Sequence, residues 1–385
     1  MALFWVLIVL SINGIVSFSA AASSTANSTI PWGMYAVNFV FFLGITQTGI
    51  IFSAMMKIAR SGWSVYYSRL GEILTLSFIP VAVVTFLIFY FAGGVDHIFY
   101  WASAHGGSGG HHSEHISPWL DKDYFLLRYV ITQPLFYIAG YLYFRQGRLQ
   151  ERYPDAAERL DRKRYWLAAF TTGFYVIANT NLAWDFAMMI YKHWESSILP
   201  PYFWSGNLIA GCAFLFIMSQ IFIKRPPHKS IKISYISSMG VVFFGFVLLW
   251  TYMFFSQYIV LWYGNLPART GVLFSQMRGN YSGAFLVMML AVFVVPFITL
   301  IFRQLKRNAT VLTILAVVIC VGIWINRYLM IMPALNDGSD PSIGTWVGFS
   351  LIAAGISLTI LSIIIFKKYF PSVTFSPEDS GAETH

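Results

Sequence analysis

Ten apolar stretches alternate with short polar connections along the whole chain: 1–20, 34–56, 73–100, 124–144, 165–190, 202–223, 235–262, 282–302, 309–332 and 346–366. A helix needs about 20 apolar residues to cross a bilayer, so the nine stretches after the first predict nine transmembrane helices. The first fits two readings. It has an apolar core and exits through Ala20-Ala21-Ala22, as a signal peptide would, but no basic residue precedes that core. A cleaved signal and a retained helix both stand. No connection is long enough for a soluble domain, and the fold class expected is all-α integral membrane.

Charge adds direction to this pattern. The segments 57–71, 145–164, 224–232, 303–307 and the C-terminal tail hold nineteen of the 25 Lys and Arg residues. The alternate set, 21–33, 101–123, 191–201, 263–281 and 333–345, holds only Lys122, Lys192, Arg269 and Arg278. Arg128 and Arg327 fall inside spans. Basic residues collect in cytoplasmic loops, so 21–33 is expected outside and the C-terminus inside, with a bacterial cytoplasmic membrane as the setting.

Composition removes one alternative. The net charge of +9 invites a nucleic-acid reading, but charged residues make up 11% of the chain and hydrophobic ones 57%. The basic residues flank spans and face lipid head groups; no basic stripe lies on a soluble fold, so no nucleic-acid partner is expected. The chain divides into an N-terminal helix or signal with its outer segment (1–33), a helical body (34–335), a last span (336–366) and a cytoplasmic tail (367–385). Within the body, Pro31-Trp32-Gly33-Met34 through Asn38 and Pro200-Pro201-Tyr202-Phe203-Trp204 through Asn207 open two spans that run in the same direction. A repeat of 34–164 by 201–335 would place them so.

Several chemistries lack their residues. Cys212 and Cys320 lie singly inside spans and cannot hold an iron–sulfur cluster, which takes four ligands; core packing is their expected role. No pair of histidines sits at haem-ligating positions. His105, His111, His112, Glu114 and His115 fall in a glycine-rich outer loop that gives no fixed ligand geometry. No metal or haem is expected, and no nucleotide-binding or hydrolase motif is present.

Ionisable groups are costly inside a membrane, and each is a functional candidate by default. The topology places Asp185, Asn181, Arg128, Arg327, Asp96, His97 and Gln257 toward the outer ends of their spans and His193 just past the outer edge, with Glu72 alone at an inner end. Asn181 and Asp185, four apart, are expected on one helix face. Acids and arginines at one depth suit a quinol head group: a carboxylate or imidazole accepts the quinol proton and a paired arginine tunes it. The same residues also suit plain helix-to-helix ion pairs, with Asp185 tied to Arg128 or Arg327. For Glu72, pairing at the inner interface is the simplest reading.

Three stretches carry a resemblance. Pro31 to Gly44 resembles the NrfD/PsrC family of quinone-interacting membrane subunits. Ala183-Trp184-Asp185-Phe186 with His193-Trp194-Glu195-Ser196 and Pro201-Tyr202-Phe203-Trp204-Ser205-Gly206, and then Trp250 to Tyr258 with Leu261 to Pro267, are similar to the two NrfD-like subunits of alternative complex III, most to the F member of that pair. The resemblance implies two four-helix bundles with extra helices and no bound redox centre. It also implies an iron–sulfur partner, a sibling NrfD-like protein and haem c subunits, with menaquinol or ubiquinol as substrate. The C member of the pair has a His-Leu-Gly-Arg stretch lining its quinol pocket; the corresponding His and Arg positions here are Ala92 and Val95. The Trp184-Asp185 motif is retained. The expected function is a membrane subunit of a quinol:acceptor oxidoreductase. A secondary transporter and a cofactor-free assembly anchor are the alternatives.

Overall fold

A computed structural model describes residues 2–23, 29–104, 119–192, 194–223, 233–264, 266–335 and 346–370. Every regular element among them is helical. In chain order they are α1 Ala2–Ala22, α2 Thr29–Ile58, α3 Val65–Phe91, α4 Gly94–Ile98, α5 Tyr100–Ala104, α6 Lys122–Arg152, α7 Ala157–Ala183, α8 Leu199–Phe222, α9 Ile233–Gly264, α10 Pro267–Met277, α11 Ser282–Met289, α12 Val295–Ile301, α13 Arg303–Lys306, α14 Ala309–Leu335 and α15 Trp346–Tyr369. Each predicted span is occupied largely by helix. Eight are long and apolar enough to cross a membrane by length and composition. α6 and α7 are equally long but carry the basic segment 145–164 on their joined ends. Those helices continue well past their apolar stretches, because Arg, Lys, Glu and Gln propagate a helix readily once it is begun.

The expected span 73–100 is corrected. Its helix starts at Val65 and stops at Phe91, where Ala92 leads into Gly93 at φ +101°. Only glycine takes that conformation without cost, and the chain turns there into the separate short α4. A composition that is apolar apart from Asp96 and His97 through Tyr100 hides this break. The connection 263–281 likewise contains a helix, α10, started by Pro267 at its first turn.

The first four-helix group is α2, α3, α6 and α7; the second is α8, α9, α11–α12 and α14. They meet through α2, α8 and α14. α2 and α8 run parallel: Gly44 faces Asn207, and Gly211 faces Thr48. This is the relative direction expected for the two repeat-opening spans. α14 runs against both, with Trp324 donating to Asn38 on α2 and Cys320 reaching the Ala210 carbonyl on α8. α1 and α15 pair outside the groups, and α15 lies on α3 and α2. Trp346 Nε1 donates to Ser17 Oγ across that pair.

α2 is the most buried helix, and its contact with α3 is a backbone contact. A Cβ on Gly49 or on Gly71 would collide with the other glycine's carbonyl oxygen. At this crossing Thr75 Oγ1 accepts from the Ile50 N–H at 2.8 Å and donates to the Thr46 carbonyl at 2.6 Å. Those are the two backbone groups that a regular α-helix would join directly.

Candidate functional site: two buried arginines and an amide ladder

Asp185 sits on a π-helical turn, Trp184–Met188, that closes α7; the Met189 N–H donates to the Trp184 carbonyl at 2.8 Å. Such one-turn expansions recur at functional sites. The turn aims Asp185 at α6, where Arg128 Nη2 donates to Asp185 Oδ1 at 2.7 Å. Arg128 Nη1 donates to the Trp119 carbonyl at 2.7 Å, and the guanidinium lies 4.5 Å from the Trp119 ring centre. Both charged side chains are more than nine-tenths buried. Asp185 Oδ2 has no hydrogen-bond partner among the described residues. One oxygen of the carboxylate is therefore held by a cation, and the other is uncommitted among the described residues. Behind the pair, Phe186 packs among Phe39, Phe89, Phe99 and Phe125 with ring centres 5.3 to 6.0 Å away.

Arg327 is fully buried on α14 and has a different set of partners. Nη2 donates to the Phe203 carbonyl at 2.6 Å and to Asn207 Oδ1 at 2.9 Å; Nη1 donates to Asn326 Oδ1 at 3.0 Å. Its guanidinium carbon lies 3.9 Å from the Phe203 ring centre. No acid pairs with it among the described residues. Neutral acceptors and an aromatic face carry the whole charge.

From Asn207 a run of amides crosses the first group. Asn207 Nδ2 donates to Asn179 Oδ1 at 2.9 Å, Asn179 Nδ2 to Gln47 Oε1 at 3.0 Å, and Gln47 Nε2 to Gln133 Oε1 at 2.6 Å and to the Tyr137 hydroxyl at 3.3 Å. The ladder ties α14, α8, α7, α2 and α6 together at buried positions. Gln47, Gln133 and Asn207 are not among the site residues singled out from the sequence. Each is an amide inside an otherwise apolar span, and that is the signal by which they could be found.

At the far end of the first group Glu72 is buried. Ser53 Oγ donates to its Oε1 at 2.6 Å, Arg164 Nη2 to the same oxygen at 2.9 Å, and Arg69 Nε lies 3.8 Å from Oε2. Glu72 is thus paired at the helix ends, as its position suggested. It borders a cavity of 1190 Å³ between the ends of α2, α3, α6 and α7. On the rim Lys57 pairs with Asp161, and that contact is the main cause holding the Asp161 carboxyl below its usual range.

The remaining candidates separate from these groups. Asp96 pairs with Lys122 at 2.9 Å on the surface, and exposed His97 holds the Gly93 carbonyl through Nδ1 at 2.8 Å. Both belong to α4, which follows the Gly93 turn, and neither bonds Arg128 or Asp185. Gln257 Oε1 accepts from Ser196 Oγ at 2.7 Å. Asn181 forms no side-chain hydrogen bond among the described residues; Asn179 takes the inward position. His193 and the histidines of 105–115 lie outside the described residues. Cys212 is buried on α8, and Cys320 is partly buried on α14.

Residues 22–337 match the family model described as polysulphide reductase, NrfD. The chain belongs to the NrfD family. A curated relative is a putative dimethyl sulfoxide reductase membrane subunit of Halobacterium salinarum, 26% identical over 196 residues. That match covers 49% of this chain and 42% of the relative, so the chain spans less than half of that protein's length. The buried groups just described all lie within the NrfD match.

Proposed function

We propose that this chain is the integral membrane subunit of a respiratory quinol oxidoreductase of the alternative complex III type, seated in a bacterial cytoplasmic membrane with its C-terminus inside. Its quinol and proton chemistry lies at the Arg128–Asp185 pair. One observation carries the reading: a buried carboxylate held by arginine through Oδ1, with Oδ2 uncommitted, on a π turn beside an aromatic cluster. The NrfD membership and the reductase description of the relative support the same general role.

In this reading menaquinol or ubiquinol presents a hydroxyl to Asp185 Oδ2. The carboxylate accepts one of the two quinol protons, while Arg128 holds the other oxygen and orients the group. The two electrons leave to an iron–sulfur partner on the outer face, with a sibling NrfD-like protein and haem c subunits in the same assembly. The second proton departs toward the outer side, where Asp96, His97 and Gln257 are the candidates to pass it on. The amide ladder and Arg327 hold the helices that carry the site, and Glu72 anchors the inner ends.

Asp185→Asn preserves shape and removes the proton acceptor. Its quinol turnover in the purified complex is expected to fall about 100-fold or more, with every partner still bound. Unchanged turnover in an intact complex would overturn the assignment of Asp185. A tagged chain that purifies under mild detergent without any redox-centre partner would overturn the wider reading.

A further inference from the structure

The cavity at the Glu72 end is lined by five cations, Lys57, Arg60, Arg69, Arg162 and Arg164, and by four acids, Glu72, Glu151, Glu158 and Asp161. The pairing among them is uneven. Lys57 is committed to Asp161, Arg69 to Glu151 and Glu72, and Arg164 to Glu72. Arg60 and Arg162 form no ion pair among the described residues. Ser53, Ser61, Ser64 and Ser68 add hydroxyls to the same wall.

Arg60 occupies an unusual position. The Ser61 N–H donates to the Met56 carbonyl and the Arg60 N–H to the Lys57 carbonyl, so α2 ends in a Schellman turn with Arg60 as its left-handed residue, at φ +52°. Glycine is the usual occupant there, because a side chain costs about 1 kcal/mol in that conformation. Gly62 lies only two residues on. The chain holds a guanidinium on the cavity lining at a position where glycine would be more stable, and left-handed strain of this kind clusters at ligand sites. Donors also remain unused in the walls: Arg69 Nη1, Arg164 Nε and Ser61 Oγ are buried with no hydrogen-bond partner. Beside them Trp166 lines the cavity and is more than half exposed on the flank of α7.

We propose that this cavity binds a phosphate-bearing anion, the head group of an anionic phospholipid, with Arg60 and Arg162 as the free cations that receive it. The phosphate oxygens accept from the guanidinium and hydroxyl donors, and the acyl chains leave along the exposed face of α7 past Trp166. The site is at the opposite end of the first helix group from Arg128 and Asp185. It goes beyond the quinol reading and does not depend on it.

The test uses the intact complex, delipidated in mild detergent and titrated with mixed micelles containing phosphatidylglycerol or phosphatidylcholine. Bound lipid is counted by native mass spectrometry. Phosphatidylglycerol is expected to bind in preference to phosphatidylcholine. Arg60→Gly and Arg162→Ala are each expected to weaken that binding about fivefold, and roughly 25-fold together. Arg60→Gly relieves the left-handed strain, so the lipid-free complex should melt at the same temperature or higher; weaker binding then cannot be assigned to misfolding. Displacement of phosphatidylglycerol by millimolar inorganic phosphate would keep the anion site but make free phosphate its ligand, overturning the lipid assignment. Equal binding of the two lipids, or undiminished binding in the double variant, would overturn the site itself.

Discussion

Arg128 and Arg327 are both buried, and both stack on an aromatic ring, yet their surroundings divide the work of the molecule. Arg128 faces a carboxylate, so its charge is balanced by a group that can take up or release a proton. Arg327 faces a backbone carbonyl and two amide oxygens, none of which titrates. A cation surrounded by neutral acceptors acts as a fixed clamp, because its protonation state has no partner to exchange with. A cation beside an acid with one unpaired oxygen has a partner that can exchange a proton, and this is the property the proposed function uses. The difference teaches that a buried charge in a membrane protein is read by its partners rather than by its depth.

The comparison predicts unequal costs. Arg327→Met removes the charged donor shared by the Phe203 carbonyl, Asn207 Oδ1 and Asn326 Oδ1 at the junction of α8 and α14. Charged hydrogen bonds contribute about 1.5–3 kcal/mol each, so the folded chain should lose about 5 kcal/mol, seen as a collapse in yield and melting temperature in detergent. Arg327→Lys should rescue little, because a point charge cannot serve three acceptors in a planar fork. Arg128→Ala is expected to cost about 3 kcal/mol by stranding Asp185. Adding Asp185→Asn should recover about half of that loss, and a double-mutant cycle in thermal unfolding measures it. If Arg327→Met and Arg128→Ala cost the same and Asp185→Asn rescues nothing, the two arginines are not different in kind.

Smaller changes sharpen the contrast. Gln47→Leu cuts the ladder between Asn179 and Gln133 and should destabilise by about 1–3 kcal/mol, the cost of unpaired buried amides. Quinol turnover should change little if the ladder is scaffold. Smallest is the rim pair of Lys57 and Asp161. Because Lys57 lowers the Asp161 pKa, the pair's contribution is fully present above the ordinary aspartate value of about 4 and is lost as pH falls through the lower folded value. The pair is partly exposed, so screening holds the effect to below about 1 kcal/mol. Unfolding of Lys57→Ala against wild type at neutral and at acid pH measures the difference.

Much of the architecture was legible in the hydropathy pattern. Each span became helix, and the parallel direction of α2 and α8 followed from their equivalent place in the alternation. The candidate site was legible as a set of residues but not as a set of contacts. Asp185 could pair with either arginine on sequence grounds, and only the π turn, which no local residue signals, sends it to Arg128. The spacing that joins Asn181 to Asp185 says nothing of Asn179, two residues earlier, which is the amide of α7 that bonds Gln47 and Asn207. By hydropathy Asp96 and His97 close a span, because Ala92-Gly93-Gly94 reads as small and apolar; the left-handed turn at Gly93 is a conformational event that hydropathy does not register. Gln47 and Gln133 are 86 positions apart, and a pairing of that reach depends on which helices become neighbours.

The hydroxyl of Thr75 has a consequence for how the chain is assembled. It bonds the Ile50 N–H and the Thr46 carbonyl at once, so two backbone groups of the central helix are served by a side chain from the next segment to be synthesised. Together with the Gly49–Gly71 contact this makes the seating of α2 a joint property of both segments: the central helix gains that hydroxyl only when α3 lies against it.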